Sequence, residues 1–167
     1  MGYVSEERRH DGIAPDMSVM ENMMLPSYDK IKKHGLIDYR QAIETAEKYI
    51  SSFKIKTASR ETLIKNLSGG NQQKVIISRW LLVTEKILIL DEPTRGIDVK
   101  TKSDIYHLID DLTATGLSII FISSEMPELI NMCDRIVVMN QGHTTGILNR
   151  NEFNQEKIMA FATKEIG

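Results

Sequence analysis

The chain has a single cysteine, Cys133, in 167 residues, so no internal disulfide holds it together. Stability must come from packing, and that usage fits a reducing cytoplasm. No histidine neighbours Cys133 to suggest an activated thiol, and the residue reads as a packing element. Long apolar runs are missing as well, since no stretch approaches the roughly 20 residues that span a bilayer. The start does not resemble a signal peptide, because Glu6, Glu7, Arg8, Arg9 and His10 interrupt it at once. Any membrane role is therefore peripheral. Charge of one sign is scarce: 21 Lys and Arg against 23 Asp and Glu leave −2, which gives nucleic acid no footing as the main partner. His10, His34, His107 and His143 are scattered without metal-ligand spacing. Repeats, low-complexity tracts and long heptad runs are all absent.

What is present belongs to a globular protein, with 41% apolar and 26% charged residues. The length allows one domain with a real core, or one domain and a small subdomain. Two short stretches carry most of the information. Leu67-Ser68-Gly69-Gly70-Asn71-Gln72-Gln73-Lys74 is a Ser-Gly-Gly turn opening a helix. Such a turn offers backbone amides, a hydroxyl and a helix N-terminus to an anion. Lys86-Ile-Leu-Ile-Leu-Asp91-Glu92-Pro93 is an apolar strand ending in two acids. It would deliver both carboxylates to the carboxyl edge of a parallel sheet, where Mg²⁺ and an attacking water would sit. Alone, either stretch has a plainer reading, an ordinary turn or a capped strand. In this order and spacing the pair is a strong signal.

The remaining pattern is a helical first half and an α/β second half. Gly2-Tyr3-Val4 reads as the tail of a strand and Glu6–Asp11 as a charged loop. Ser18-Val-Met-Glu21 is a capping box that opens a short helix stopped before Pro26. Met17, Met20, Met23 and Met24 crowd that helix, either as adaptable packing or as a docking face. Tyr39, Ile43, Ala46, Ile50 and Phe53 recur at helical spacing after Asp38, and the chain to about residue 80 is expected to be mainly helical. Beyond it the spacing predicts strands at 87–90, 117–122 and 135–139, with helices at 98–115 and around 127–131. Near-continuous apolar strands alternating with helices predict one parallel sheet. Gly116 would cap the first of those helices, Asn140-Gln141-Gly142 would turn the chain into Thr144–Leu148, and 151–163 would form a last helix. Lys30, Lys32 and Lys33 read as a solvated face and Trp80 as core.

With these residues in view, the pair of motifs resembles the signature and Walker B motifs of ABC ATPases. The run 91–99, then Ile119–Leu129, then Asp134–Met139, is similar to the second cassette of bacterial sugar-importer ATPases of the ribose and galactose type. The opening Tyr3–Gly12 resembles the segment after that family's Q-loop strand. The phosphate-cradling loop G-x-x-x-x-G-K-[ST] is missing, because none of the ten glycines precedes a lysine. The resemblance therefore implies the C-terminal piece of a cassette: an incomplete α/β parallel sheet with flanking helices plus a helical subdomain. The expected divisions are 1–12, 13–82 with the signature, and 83–167 with the Walker B strand.

The resemblance also implies roles. Asp91 would hold Mg²⁺ through water, and Glu92 would orient the attacking water. Ser68, Gly69, Gly70 and Gln72 would face the γ-phosphate of ATP held by an opposing cassette, with glycine letting the backbone approach closely. Asp98 falls at the D-loop and also suits a helix N-cap. Ser124 stands where most cassettes carry a His, and Glu6 where most carry Gln. A serine has no cationic form near neutral pH, and a carboxylate repels a triphosphate. The site on this chain's own Walker B strand is thus expected to be impaired, and its signature to serve the partner site. Implied partners are the preceding cassette of the same polypeptide, membrane permease subunits and, indirectly, an extracellular sugar-binding protein. The implied location is the cytoplasmic face of a bacterial cell membrane. A soluble ABC protein without a membrane partner is the alternative; Thr94-Arg95-Gly96-Ile97-Asp98 favours the importer.

Overall fold

The computed structural model describes residues 1–7, 12–33 and 36–164. The chain divides into two compact units, 1–122 and 123–167. In the first, β1 (Gly2–Val4), β4 (Ile87–Asp91) and β5 (Ser118–Ile122) form a parallel sheet with β4 in the centre. Val4 lies opposite Leu90, and Asp91 opposite Ile122. Leu88 and Leu90 are wholly buried on one face of β4, as an apolar central strand requires. No helix among the described residues is long and apolar enough to cross a membrane.

Helix α1 (Val19–Met24) begins at the expected capping box: Glu21 N–H donates to Ser18 Oγ and Ser18 N–H to Glu21 Oε2. Met20, Met23 and Met24 are buried, which makes the methionine cluster core. Asp38 caps α2 (Tyr39–Ser52), whose inward stripe is centred on Ala42 and Ala46. Tyr39, expected on that stripe, is instead 65% exposed. The first half is also less helical than expected. Strands β2 (Lys32–Lys33) and β3 (Leu36–Ile37) pair antiparallel, and between α2 and the turn at Ile64–Asn66 the chain forms no regular helix. Helix α3 (Gly69–Leu81) is the pillar of this unit, buried at every position from Gly70 to Arg79 and packed on α1, β1 and α4 (Val99–Ala114). Gly116 follows α4 with φ +92°, the left-handed form that favours glycine after a helix.

The second unit corrects the single-sheet expectation. Strand β6 (Arg135–Asn140) does not join the parallel sheet but pairs antiparallel with β7 (His143–Asn149). Gln141 and Gly142, at φ +47° and +81°, make the two-residue turn whose twist suits a hairpin, so the local partner wins. Helix α5 (Met126–Met132) and helix α6 (Gln155–Ala162) complete this unit, over a core of Ile136, Val138, Leu148 and Ile158. The last helix starts later than expected, because Arg150–Glu152 is a 3₁₀ turn and Asn154 is the cap. Cys133 packs against this core, and burial pushes its thiol pKa up, as befits an inert residue. His107 and His143 are exposed; His10, His34 and part of the charged loop lie outside the described residues.

Candidate functional site

Parallel strands present their carboxyl ends on one edge, and here that edge is polar. β1 runs into Ser5 and Glu6, and β4 ends at Asp91 with Glu92 next. Glu92 takes φ +46°, unusual for a residue with a Cβ and costing about 1 kcal/mol. Its N–H donates to Ile122 O at 2.9 Å and its carbonyl accepts from Arg95 N–H at 3.1 Å, so both neighbours hold the bend. Strain held this way is a common mark of a functional position. Asp91 Oδ2 accepts from Tyr3 Oη at 2.7 Å, which fixes one carboxylate oxygen. Glu6 forms an ion pair with Arg95 across the same seam. Asp98 caps α4, accepting from Thr101 N at 3.0 Å and Thr101 Oγ1 at 2.7 Å; the Thr101 hydroxyl, foremost, holds its carboxyl below the usual range.

The second candidate element is the N-terminus of α3. Ser68 is exposed and sits at the N-cap position, yet its side chain caps no amide. Its Oγ instead accepts from Asn71 Nδ2 at 2.8 Å, which leaves the hydroxyl proton to be donated outward. The first-turn amides keep the orientation of donors without an intrahelical acceptor. Asn71 Oδ1 accepts from Lys56 N–H at 2.8 Å, tying the extended segment to the helix. Gln72 is turned inward: its Nε2 donates to Ile64 O and Leu67 O, both at 3.2 Å, and so holds the turn before Ser68. Gly70 is buried against α4, where a Cβ would lie 2.0 Å from Thr101 Cγ2. Ser124, in the second unit, is exposed, and its neighbour Ser123 donates to Glu128 Oε2 at 2.7 Å.

Among the described residues no group of three or more His, Cys, Asp or Glu is arranged to hold a metal ion. Asp91 alone, with one oxygen already engaged, suits a cation that keeps most of its water and takes other ligands from phosphate.

Three contacts between distant residues escape sequence reasoning. Tyr3 and Asp91 are 88 positions apart, and no local pattern links them. Asn22 and Arg79 form a buried polar knot beneath the α3 pillar, with Arg79 Nη2 donating to Asn22 Oδ1 at 2.9 Å. Arg95 and Glu6 are likewise far apart in the chain, and only the fold pairs them.

A family model described as ABC transporter matches residues 1–95. The ribose import ATP-binding protein of Bacillus subtilis is 45% identical over 163 residues, 98% of this chain and 33% of that protein. The xylose import ATP-binding protein of Thermoanaerobacter pseudethanolicus is 48% identical over 163 residues, 98% of this chain and 32% of that protein. The chain thus spans about a third of the length of these curated relatives. An ATP-binding cassette dimer in a post-hydrolysis state with ADP and phosphate shares the fold, with TM-score 0.75 and 23% identity over 91% of this chain and 63% of that one. A dimeric bacterial ABC transporter cassette does so at TM-score 0.74 and 21% identity, covering 92% and 64%.

Proposed function

This chain belongs to the ABC transporter family, and we propose that it is part of the ATP-hydrolysing subunit of a bacterial monosaccharide importer. The observation that carries the reading is identity of 45% and 48% to ribose and xylose import ATP-binding proteins along 98% of the chain. The divisions 1–12, 13–82 and 83–167 are the working parts in this reading: the Q-loop segment, the signature-bearing helical part, and the Walker B core.

Mg-ATP supplies the phosphoryl group and the metal when bound. Asp91 would hold the metal through water, with one carboxylate oxygen already fixed by Tyr3. Glu92, which follows the strand with a left-handed backbone, would orient a water. The Ser68 hydroxyl and the amides of Gly69 and Gly70 would face a phosphate carried by the opposing cassette, while Gln72 shapes the turn that presents them. Asp98 fixes the start of α4 at the D-loop. With Ser124 and Glu6 in place of a His and a Gln, the site on this chain is the weaker of two. The partners are the other cassette, permease subunits and an extracellular sugar-binding protein, at the cytoplasmic face of the membrane.

The test is reconstitution of the complete polypeptide with its permease and binding protein. ATP hydrolysis stimulated by a pentose or hexose on the loaded binding protein is expected. Hydrolysis indifferent to permease and sugar would refute the importer reading.

A further inference from the structure

We propose that Arg95 is the built-in counter-ion of this edge, neutralising Glu6 so that a polyphosphate can approach the acid-rich end of the sheet. The proposal rests on the nucleotide reading above and gives a role to a residue which that reading leaves unused.

Topology gathers the charge. β1 and β4 are parallel neighbours with Val4 opposite Leu90, so Glu6, Asp91 and Glu92 all follow the same sheet edge. Each carboxylate opposes an incoming polyphosphate by a Coulomb term worth several-fold to more than tenfold in affinity at close range. Asp91 has an answer in the metal and in the Tyr3 hydroxyl. Glu92 has one in the water it would orient. Glu6 has Arg95.

The backbone puts Arg95 there deliberately. The left-handed Glu92 (φ +46°) and Gly96 (φ +69°) fold the segment back on itself, and Arg95 N–H closes the bend on Glu92 O. A stabilising role does not account for the pair: its side chains are 67% and 37% exposed, and pairs so exposed contribute little to stability. Its position accounts for it better. A guanidinium stays cationic at any working pH, so it cancels the carboxylate beside it without a metal.

Two measurements test this. In the chain itself, Glu6→Gln should shift the Arg95 side-chain Nε–H resonance, and an unmoved resonance would overturn the pair. In the complete polypeptide, labelling of this chain's peptides by Mg-8-azido-ATP should weaken about tenfold for Arg95→Ala. Glu6→Gln should label at least as well as the parent, and Glu6→Gln with Arg95→Ala should return to within about twofold of it. A double variant as weak as Arg95→Ala, or an Arg95→Ala without effect, would overturn the proposal and leave the nucleotide reading standing. A complete polypeptide that takes no label at all fails the nucleotide reading and the proposal with it.

Discussion

Replacing Asn22 by Ala strikes the knot that joins α1, the segment before it and the α3 pillar. Asn22 is wholly buried. Its Nδ2 donates to Ala14 O at 2.9 Å, Met17 O at 3.2 Å and Ser18 O at 3.0 Å. Its Oδ1 accepts from Ala14 N–H at 2.9 Å and from Arg79 Nη2 at 2.9 Å. Arg79 Nε and Nη1 donate to Asn22 O and Gly12 O, both at 2.7 Å, and burial lowers its pKa to about 10. Truncation therefore strands an amide and a guanidinium N–H, and three carbonyls lose a donor. Each unsatisfied buried group costs about 1–3 kcal/mol, but relaxation and helix propensity recover part, so about 3 kcal/mol is expected in all. At a urea m-value of about 2 kcal/mol/M that is a midpoint lowered by roughly 1.5 M. Urea unfolding followed by far-UV circular dichroism and by Trp80 fluorescence measures it. Asn22→Asp, which keeps the acceptor and loses the donors, should fall between parent and Ala. A midpoint shift under about 0.3 M for Asn22→Ala would refute the claim that this knot holds the pillar.

Gly70→Ala should destabilise by about 1–3 kcal/mol through overpacking on Thr101, and Thr101→Ser, which removes the clashing methyl and keeps the hydroxyl on Asp98, should restore most of it in thermal melts. Stability should hold steady from pH 7 to about 5.5 and fall as pH drops below about 4.5. Asp98, Asp104, Glu21 and Glu152 all sit below their ordinary values of 3.8 and 4.5, so their contribution is present above those values and lost beneath them; urea midpoints that rise on acidification would contradict this. Glu92→Gly should be more stable than Glu92→Ala by about 1 kcal/mol, because only the backbone at φ +46° separates them. In the complete polypeptide, Ser68→Ala should remove most sugar transport and Glu92→Gln less; the reverse order would sink the asymmetric reading of the two sites.

Local features were legible and distant pairings were not. The Ser18–Glu21 box announces α1 because both partners lie within one turn. The apolar run before Asp91 announces β4 because four consecutive apolar residues suit a central strand, although only Leu88 and Leu90 are fully buried. Nothing in 135–140 says which strand it will pair with, and the Gln141-Gly142 turn decides in favour of its neighbour. Lys74 and Arg79 were hidden for a different reason. A helix buried all round has no polar face, so its cations must find partners inside: Asp104 for Lys74 at 3.1 Å, Asn22 and Gly12 for Arg79. Of the candidate site, the acids and the glycine turn were readable, while Tyr3 and Arg95, which cross the β1–β4 seam to them, were not.

The two halves of the site also differ in what their residues can be taken to mean. Gly70 fits a close approach of backbone to phosphate, but the methyl of Thr101 already excludes any larger residue there, so its presence follows from packing. Ser68 has no such explanation. It is exposed, occupies the cap position of a long buried helix, and leaves the amides beneath it uncapped while Asn71 holds its oxygen. A serine placed to cap and turned away from capping sets aside a stabilisation of about 1 kcal/mol. Glu92 does the same with its backbone, in a conformation any glycine would take more easily. Local rules broken without a packing reason mark where selection acted on something other than the fold. By that criterion we propose Ser68 and Glu92, rather than Gly69 and Gly70, as the positions whose variants report on chemistry.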